Sequence, residues 1–123
     1  MAMTSKLHIE GSTLRWKDPQ GRTHRDHDKP AAIYADGTMY WLQHDKLHRD
    51  EDQPAVILAD GTMRWYQHGK LHRDNDLSAV VYANGDKWWY QHGKCHRDGD
   101  LPAAIYASGG KVWYQHGKFI RAE

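Results

Sequence analysis

One column constrains this chain more than anything else in it: tryptophan returns at Trp41, Trp65, Trp89 and Trp113, always 24 residues on. Other columns keep the same step. Gly37, Gly61, Gly85 and Gly109 mark a first turn, Gly69, Gly93 and Gly117 a second, and His24, His48, His72 and His96 each lead an Arg-Asp pair. A fixed period held over several copies is the signature of a stacked repeat, in which each unit buries its apolar face against its neighbours. The clearest copy, YANGDKWWYQHGKCHRDG from Tyr82 to Gly99, reads as a strand end, an Asn-Gly turn, an aromatic strand, a His-Gly turn and a short polar strand. No segment has helical periodicity. The expected architecture is all-β: an elongated, single-layer antiparallel β-meander of stacked hairpin repeats.

Composition supports a thin sheet over a ball. Leu, Ile, Val and Phe together number only 18, whereas six Trp and seven Tyr supply the apolar area, each ring burying on the order of 150–250 Å². The formal charge is +1, with alternating signs, which argues against a nucleic-acid footprint or a polybasic membrane patch. Cys95 stands alone in a column otherwise held by Leu47, Leu71 and Phe119 and reads as a small packing residue. A lone cysteine, no apolar leader and no membrane-length run lead to the expectation of a cytoplasmic protein without integral membrane association.

The chain divides into one repeat domain over 1–123. Residues 1–6 read as a disordered lead-in, 7–26 as a degenerate N-terminal cap with Trp16 in the Trp column, and 27–50, 51–74, 75–98 and 99–121 as repeats. Acidic loops such as Asp50 to Asp52 separate the copies, their aspartates placed to neutralise the preceding arginine. If Asn84-Gly85 and His92-Gly93 are both two-residue turns, Val81 pairs with Trp88, Val80 with Trp89 and Tyr90 with Cys95. Trp88, Tyr90, Cys95 and Arg97 then share one face, and Val80, Tyr82, Trp89 and His96 the other.

Tyr82-Ala83-Asn84-Gly85-Asp86, then Trp89, Gly93-Lys94 and His96, resembles the MORN repeat over about residues 7–121. The period is 24 where that family usually has 23, and Arg97-Asp98 replaces the glycine after the histidine, so the chain is a variant. The resemblance implies the same hairpin meander and members that scaffold, bind proteins or self-associate. The aromatic hairpins KWWYQHGK and VWYQHGK also resemble choline-binding cell-wall modules, which leaves a small-ligand binder (carbohydrate, choline-like or lipid headgroup) as the alternative function.

Ten histidines invite a metal site. Equivalent histidines two strands apart are separated by about 10 Å, too far to share an ion, and His44 and His48 flank a turn with no carboxylate at ligand spacing. No metal or cofactor is therefore expected, and the His column is expected to pack on the Trp column. The His-Arg-Asp tripeptide recurs four times, whereas an active site is a single constellation, so no catalytic residue is assigned and the chain reads as a non-enzyme. What varies between copies is where a partner could be read. Tyr40, Arg64 and Trp88, with Tyr66, Tyr90 and Tyr114, form the candidate surface for a protein partner, which such a module could inhibit by binding. Phe119 and Ile120 make the last strand apolar and are the candidate contacts of a tail-to-tail homodimer.

Overall fold

Each copy turns twice, and the two turns differ in kind, which decides where its strands go. In a computed structural model, which describes residues 4–123, Gly85 has φ +98° while Asn84 stays outside the left-handed region. A two-residue Asn-Gly turn of the hairpin type needs positive φ at both positions. Asn84 instead uses its Oδ1 to accept the Asp86 N–H at 2.9 Å, and the Tyr82 N–H donates to the Asp86 carbonyl at 2.9 Å. The loop is therefore three residues long, Ala83 to Gly85. Val80 pairs with Trp88 and Val81 with Lys87, one place from the expected register. At the second turn both His92 (φ 52°) and Gly93 (φ 81°) are left-handed, and the pairs Tyr90–Cys95 and Gln91–Lys94 stand as expected.

The chain carries β1 (Lys6–Glu10) and β2 (Thr13–Lys17) in the cap, and β3 (Ala32–Ile33), β4 (Met39–Tyr40), β5 (Leu42–Gln43) and β6 (Lys46–Leu47) in the first full copy. The next copy holds β7 (Val56–Ile57), β8 (Met63–Arg64), β9 (Tyr66–Gln67) and β10 (Lys70–Leu71). It is followed by β11 (Val80–Val81), β12 (Lys87–Trp88), β13 (Tyr90–Gln91) and β14 (Lys94–Cys95), then β15 (Ala104–Ile105), β16 (Lys111–Gln115) and β17 (Lys118–Ala122). Eleven strands form one open antiparallel sheet in the order β1-β2-β3-β4-β7-β8-β11-β12-β15-β16-β17. The second hairpins, β5–β6, β9–β10 and β13–β14, leave it at each Trp and form separate two-stranded ladders. There is no helix among the described residues, so the all-β meander of hairpins is the observed fold. The lead-in expected at 1–6 lies partly outside the described residues, and Lys6 already opens β1.

The core is a row of alternating large and small side chains. Trp16, Trp41, Trp65 and Trp89 donate their backbone N–H to the carbonyls of Ala31, Ala55, Ala79 and Ala103 on the next strand, at 2.7–2.8 Å. Successive tryptophans are thus two strands apart, about 10 Å, and only a methyl group fits between. The four alanines are 0% exposed and Trp41, Trp65, Trp89 and Trp113 are 7–8% exposed. With Val80 opposite Trp88, the faces proposed from the sequence are corrected: Val80 and Tyr82 join the Trp88 face, and Arg97 lies on the Trp89 ring instead.

Both ends depart from the repeat. The cap turns through Gly11-Ser12 with two residues, Glu10 opposite Thr13. At the other end, Arg121 pairs with Trp113 and Ala122 with Val112, with a register shift between Trp113 and Tyr114 that leaves Ile120 unpaired in the ladder. Lys111 and Glu123 exchange backbone hydrogen bonds at 2.9 Å. In the interior, Trp88 is paired with Ala104, so the tail reaches the same place in the sheet without an acidic loop. The last segment closes onto its own chain, and the outer edge of β17 is the end of the sheet.

Candidate functional site

Three sets of side chains repeat through the stack, and two of them are tied up in holding it together. The first is a clasp of Asp, Trp and Arg. The Trp65 indole N–H donates to the Asp52 carbonyl at 3.1 Å, and the Arg73 guanidinium lies over that ring, 3.8 Å from its centre. The same guanidinium forks onto the Asp52 carboxylate at 2.8 and 3.2 Å and donates to the Ser78 carbonyl at 3.0 Å. Asp28–Trp41–Arg49 and Asp76–Trp89–Arg97 repeat it. Asp52 is thus the partner of the arginine that follows it by 21 residues, not of the one before. Arg49, Arg73 and Arg97 hold the carboxyls of Asp28, Asp52 and Asp76 below the usual range, mainly by side-chain hydrogen bonding, against a smaller opposing effect of burial.

The second set is a histidine ladder. The Nδ1 atoms of His24, His48, His72 and His96 accept the backbone N–H of His44, His68, His92 and His116 at 3.0–3.1 Å. That role puts the proton on Nε2, which faces Asp26, Asp50, Asp74 and Asp98 at 2.7–2.9 Å. Each ring lies against the turn histidine of the next copy, with centroids 4.3–4.7 Å apart and planes inclined by 29–46°. The His column therefore packs on a second His column and not on tryptophan.

At the cap this ladder meets a carboxylate that sequence spacing did not place there. Asp18, His24 and His44 bring their ligand atoms within 4.8 Å of one another, across an insertion that obscures the repeat. All three are engaged. Asp18 Oδ1 accepts the N–H groups of Gln20 and Arg22 at 2.9 Å, and its Oδ2 faces the Arg22 Nε at 2.9 Å and His44 Nδ1 at 3.4 Å. Burial raises the Asp18 carboxyl, but these hydrogen bonds outweigh it and bring it down to about 2. A divalent ion here would displace a guanidinium and break the His24–His44 bond, which is a poor exchange for three ligands. Chelator is expected to leave the melting temperature unchanged and equimolar zinc not to raise it; a zinc-dependent rise lost in Asp18→Asn would establish a metal centre.

The third set is not engaged in this way. Tyr40, Arg64 and Trp88 lie in one row across the sheet, alternating with Val56 and Val80, each 3% exposed. The large side chains of this row are only part-buried, and Trp88, Tyr90 and Tyr114 also pack against the Trp89–Cys95–Ala103 cluster. Trp88 lies 6.5 Å from Tyr90 and 6.0 Å from both Tyr106 and Tyr114, and Tyr114 lies edge-on to Phe119 at 6.1 Å. Burial, with smaller effects from Cys95, Tyr82, Tyr114 and Tyr66 nearby, pushes the Tyr90 phenol up to about 12. Of the six residues singled out from the sequence, Trp88, Tyr90 and Tyr114 thus meet directly and Tyr66 adjoins them. Tyr40 instead pairs edge-on with Tyr34 at 5.3 Å, beside Arg15. Tyr82 and Tyr106 belong to the same surface and were missed, because the shifted register had placed their column on the opposite face.

Phe119 and Ile120 are 61% and 52% exposed on β17. Burial pushes the Cys95 thiol up to about 11, so it stays protonated at neutral pH, as a packing residue should. No helix of the described residues is long and apolar enough to cross a membrane. Comparison of the chain with protein-family models, with curated proteins and with solved structures finds no match.

Proposed function

We propose that the chain is a non-catalytic, MORN-like repeat module of the cytoplasm that binds a protein partner on the Trp88 face of its sheet, and that it can inhibit that partner by occupying it. One observation carries this reading: Trp88, Tyr90, Tyr106 and Tyr114 form a contiguous aromatic surface that stays part-exposed. Large aromatic rings lose little conformational entropy on binding and dominate interface energetics. By contrast, the tryptophans of the repeated column are spent on the clasp. Affinity capture from the native host with the wild-type chain and with Trp88→Ala tests this. The expected result is one stoichiometric partner, lost in the variant at little change in melting temperature. Equal capture by both would remove this surface as the docking site.

The same reading includes a homodimer joined tail to tail. An antiparallel sheet of eleven strands has its two edge strands running in the same direction, so antiparallel continuation that keeps the same face of both copies on one side joins like edges about a twofold axis. The β17 edge, with Phe119 and Ile120 exposed, is the more apolar candidate, since β1 alternates its apolar residues with Lys6, His8 and Glu10. The bulge at Ile120 works against pairing by bending the edge. Sedimentation at tens of micromolar, roughly where weak strand pairing shows, should give a dimer that Phe119→Lys with Ile120→Lys converts to monomer. A wild-type monomer rules this interface out.

A further inference from the structure

The third full copy differs from the first two at two columns at once, and both differences line the same cleft. Where the first two copies have Thr38 and Thr62, the third has Asp86; where they have Tyr40 and Arg64, it has Trp88. Tyr82, Trp88 and Tyr106 wall a cleft of about 410 Å³ whose rim includes Asp60 and Asp86, within the roughly 300–1,000 Å³ of small-ligand sites. Trp88 and Tyr106 stand perpendicular, at 90°, with centroids 6.0 Å apart. A cation seated in that corner is within about 6 Å of both rings, the range in which a ring face attracts positive charge.

The carboxylates favour such an occupant. Asp86 uses Oδ1 to accept the Ala107 N–H at 2.7 Å, a bond that Thr62 Oγ1 makes to Ala83 at 3.2 Å one copy earlier. The threonine hydroxyl serves that purpose without charge. Aspartate adds a second oxygen, whose contact within the chain is the Asn84 amide at 3.3 Å. Two other copies supply their own cation at the Trp88 column. In the cap that residue is Arg15, whose Nη2 donates to the Tyr34 hydroxyl at 3.3 Å, and Tyr34 holds the place that Tyr106 holds beside Trp88. In the second copy it is Arg64, whose charge acts on Asp60. Only the third copy removes the internal guanidinium while adding a carboxylate.

We infer that the Tyr82–Trp88–Tyr106 cleft, closed by Asp86, receives the arginine or lysine side chain of the protein partner. The inference rests on the protein-binding reading and names the chemistry of its anchor. It is tested by following the assigned Trp88 indole N–H resonance while titrating the wild-type chain with short glycine-spaced arginine or lysine peptides, their citrulline or norleucine counterparts, and tetramethylammonium chloride. Saturable shifts confined to Trp88 and its neighbours are expected with the basic peptides and not with the neutral ones. They should weaken with added salt. Asp86→Thr and Trp88→Val restore residues that other copies carry, so both variants should fold, and each should weaken binding about tenfold or more. Equal shifts with citrulline, or unchanged binding in Asp86→Thr, would overturn the inference. Tetramethylammonium binding as tightly as the arginine peptide would overturn the side-chain occupant in favour of a free ammonium ligand. Partner capture lost with Trp88→Ala but kept with Asp86→Thr would leave the protein-binding reading standing and remove the cation cleft.

Discussion

Trp65→Ala is expected to cost about 3–5 kcal/mol, the range for deleting a buried large aromatic, and to lower the melting temperature by roughly 10 °C or more. The substitution removes more than ring volume. It deletes the indole N–H that satisfies the Asp52 carbonyl at 3.1 Å, takes away the surface under the Arg73 guanidinium, and leaves Ala55 and Ala79 with no ring between them. The repeat cannot relax to fill the gap, because the strands on either side are set by their own Trp-Ala pairs. Trp88→Ala removes a ring of similar size from the part-exposed face and should cost clearly less. Thermal melts of the two variants decide the matter: equal losses would mean that the two faces are packed alike and that the clasp is not the core.

The comparison between those two tryptophans also shows what the sequence could and could not disclose. The period, the column of Trp65 and the second turn were legible because His92-Gly93 satisfies a two-residue turn with two left-handed residues. The first turn was not, because Asn84 binds the Asp86 N–H through its side chain and lengthens the loop by one. A slip of one residue in a strand exchanges its faces, which moved Tyr82 and Tyr106 off the surface to which they belong. The Trp88, Tyr90 and Tyr114 part of that surface survived, since those residues lie beyond the misread turn. Contacts at a separation of 20 or 21 residues, such as Asp52–Arg73 and His48–His68, were illegible for a different reason. Nothing in a local pattern tells an aspartate whether its arginine lies before or behind it. Asp18–His44 was hidden further by the residue inserted in the cap.

Arg73→Met should cost about 2–3 kcal/mol and should change how the protein responds to acid. Methionine keeps an apolar stem over Trp65 but loses the cation over its ring, worth up to about 2 kcal/mol when desolvated, and the charged hydrogen bond to the Ser78 carbonyl. The ion pair itself adds little, because the Asp52 side chain is 50% exposed and solvent screens it. Its signature is in the pH dependence. Asp28, Asp52 and Asp76 have carboxyls held below their ordinary value, so the unfolded chain takes up protons first as the solution is acidified. The stability these pairs contribute is fully present above the ordinary aspartate range. It is lost as pH falls from about 4 through the lowered values. The wild-type melting temperature should therefore carry a decline below about pH 4 to which the three clasps contribute, and Arg73→Met, which releases Asp52, should decline less steeply there while starting from a lower value at neutral pH. Asp52→Asn should flatten the same limb while keeping Arg73 on its ring. An acid limb of unchanged slope in both variants would show that the clasp carboxylates do not set it and that the pairing in the repeat is electrostatically idle.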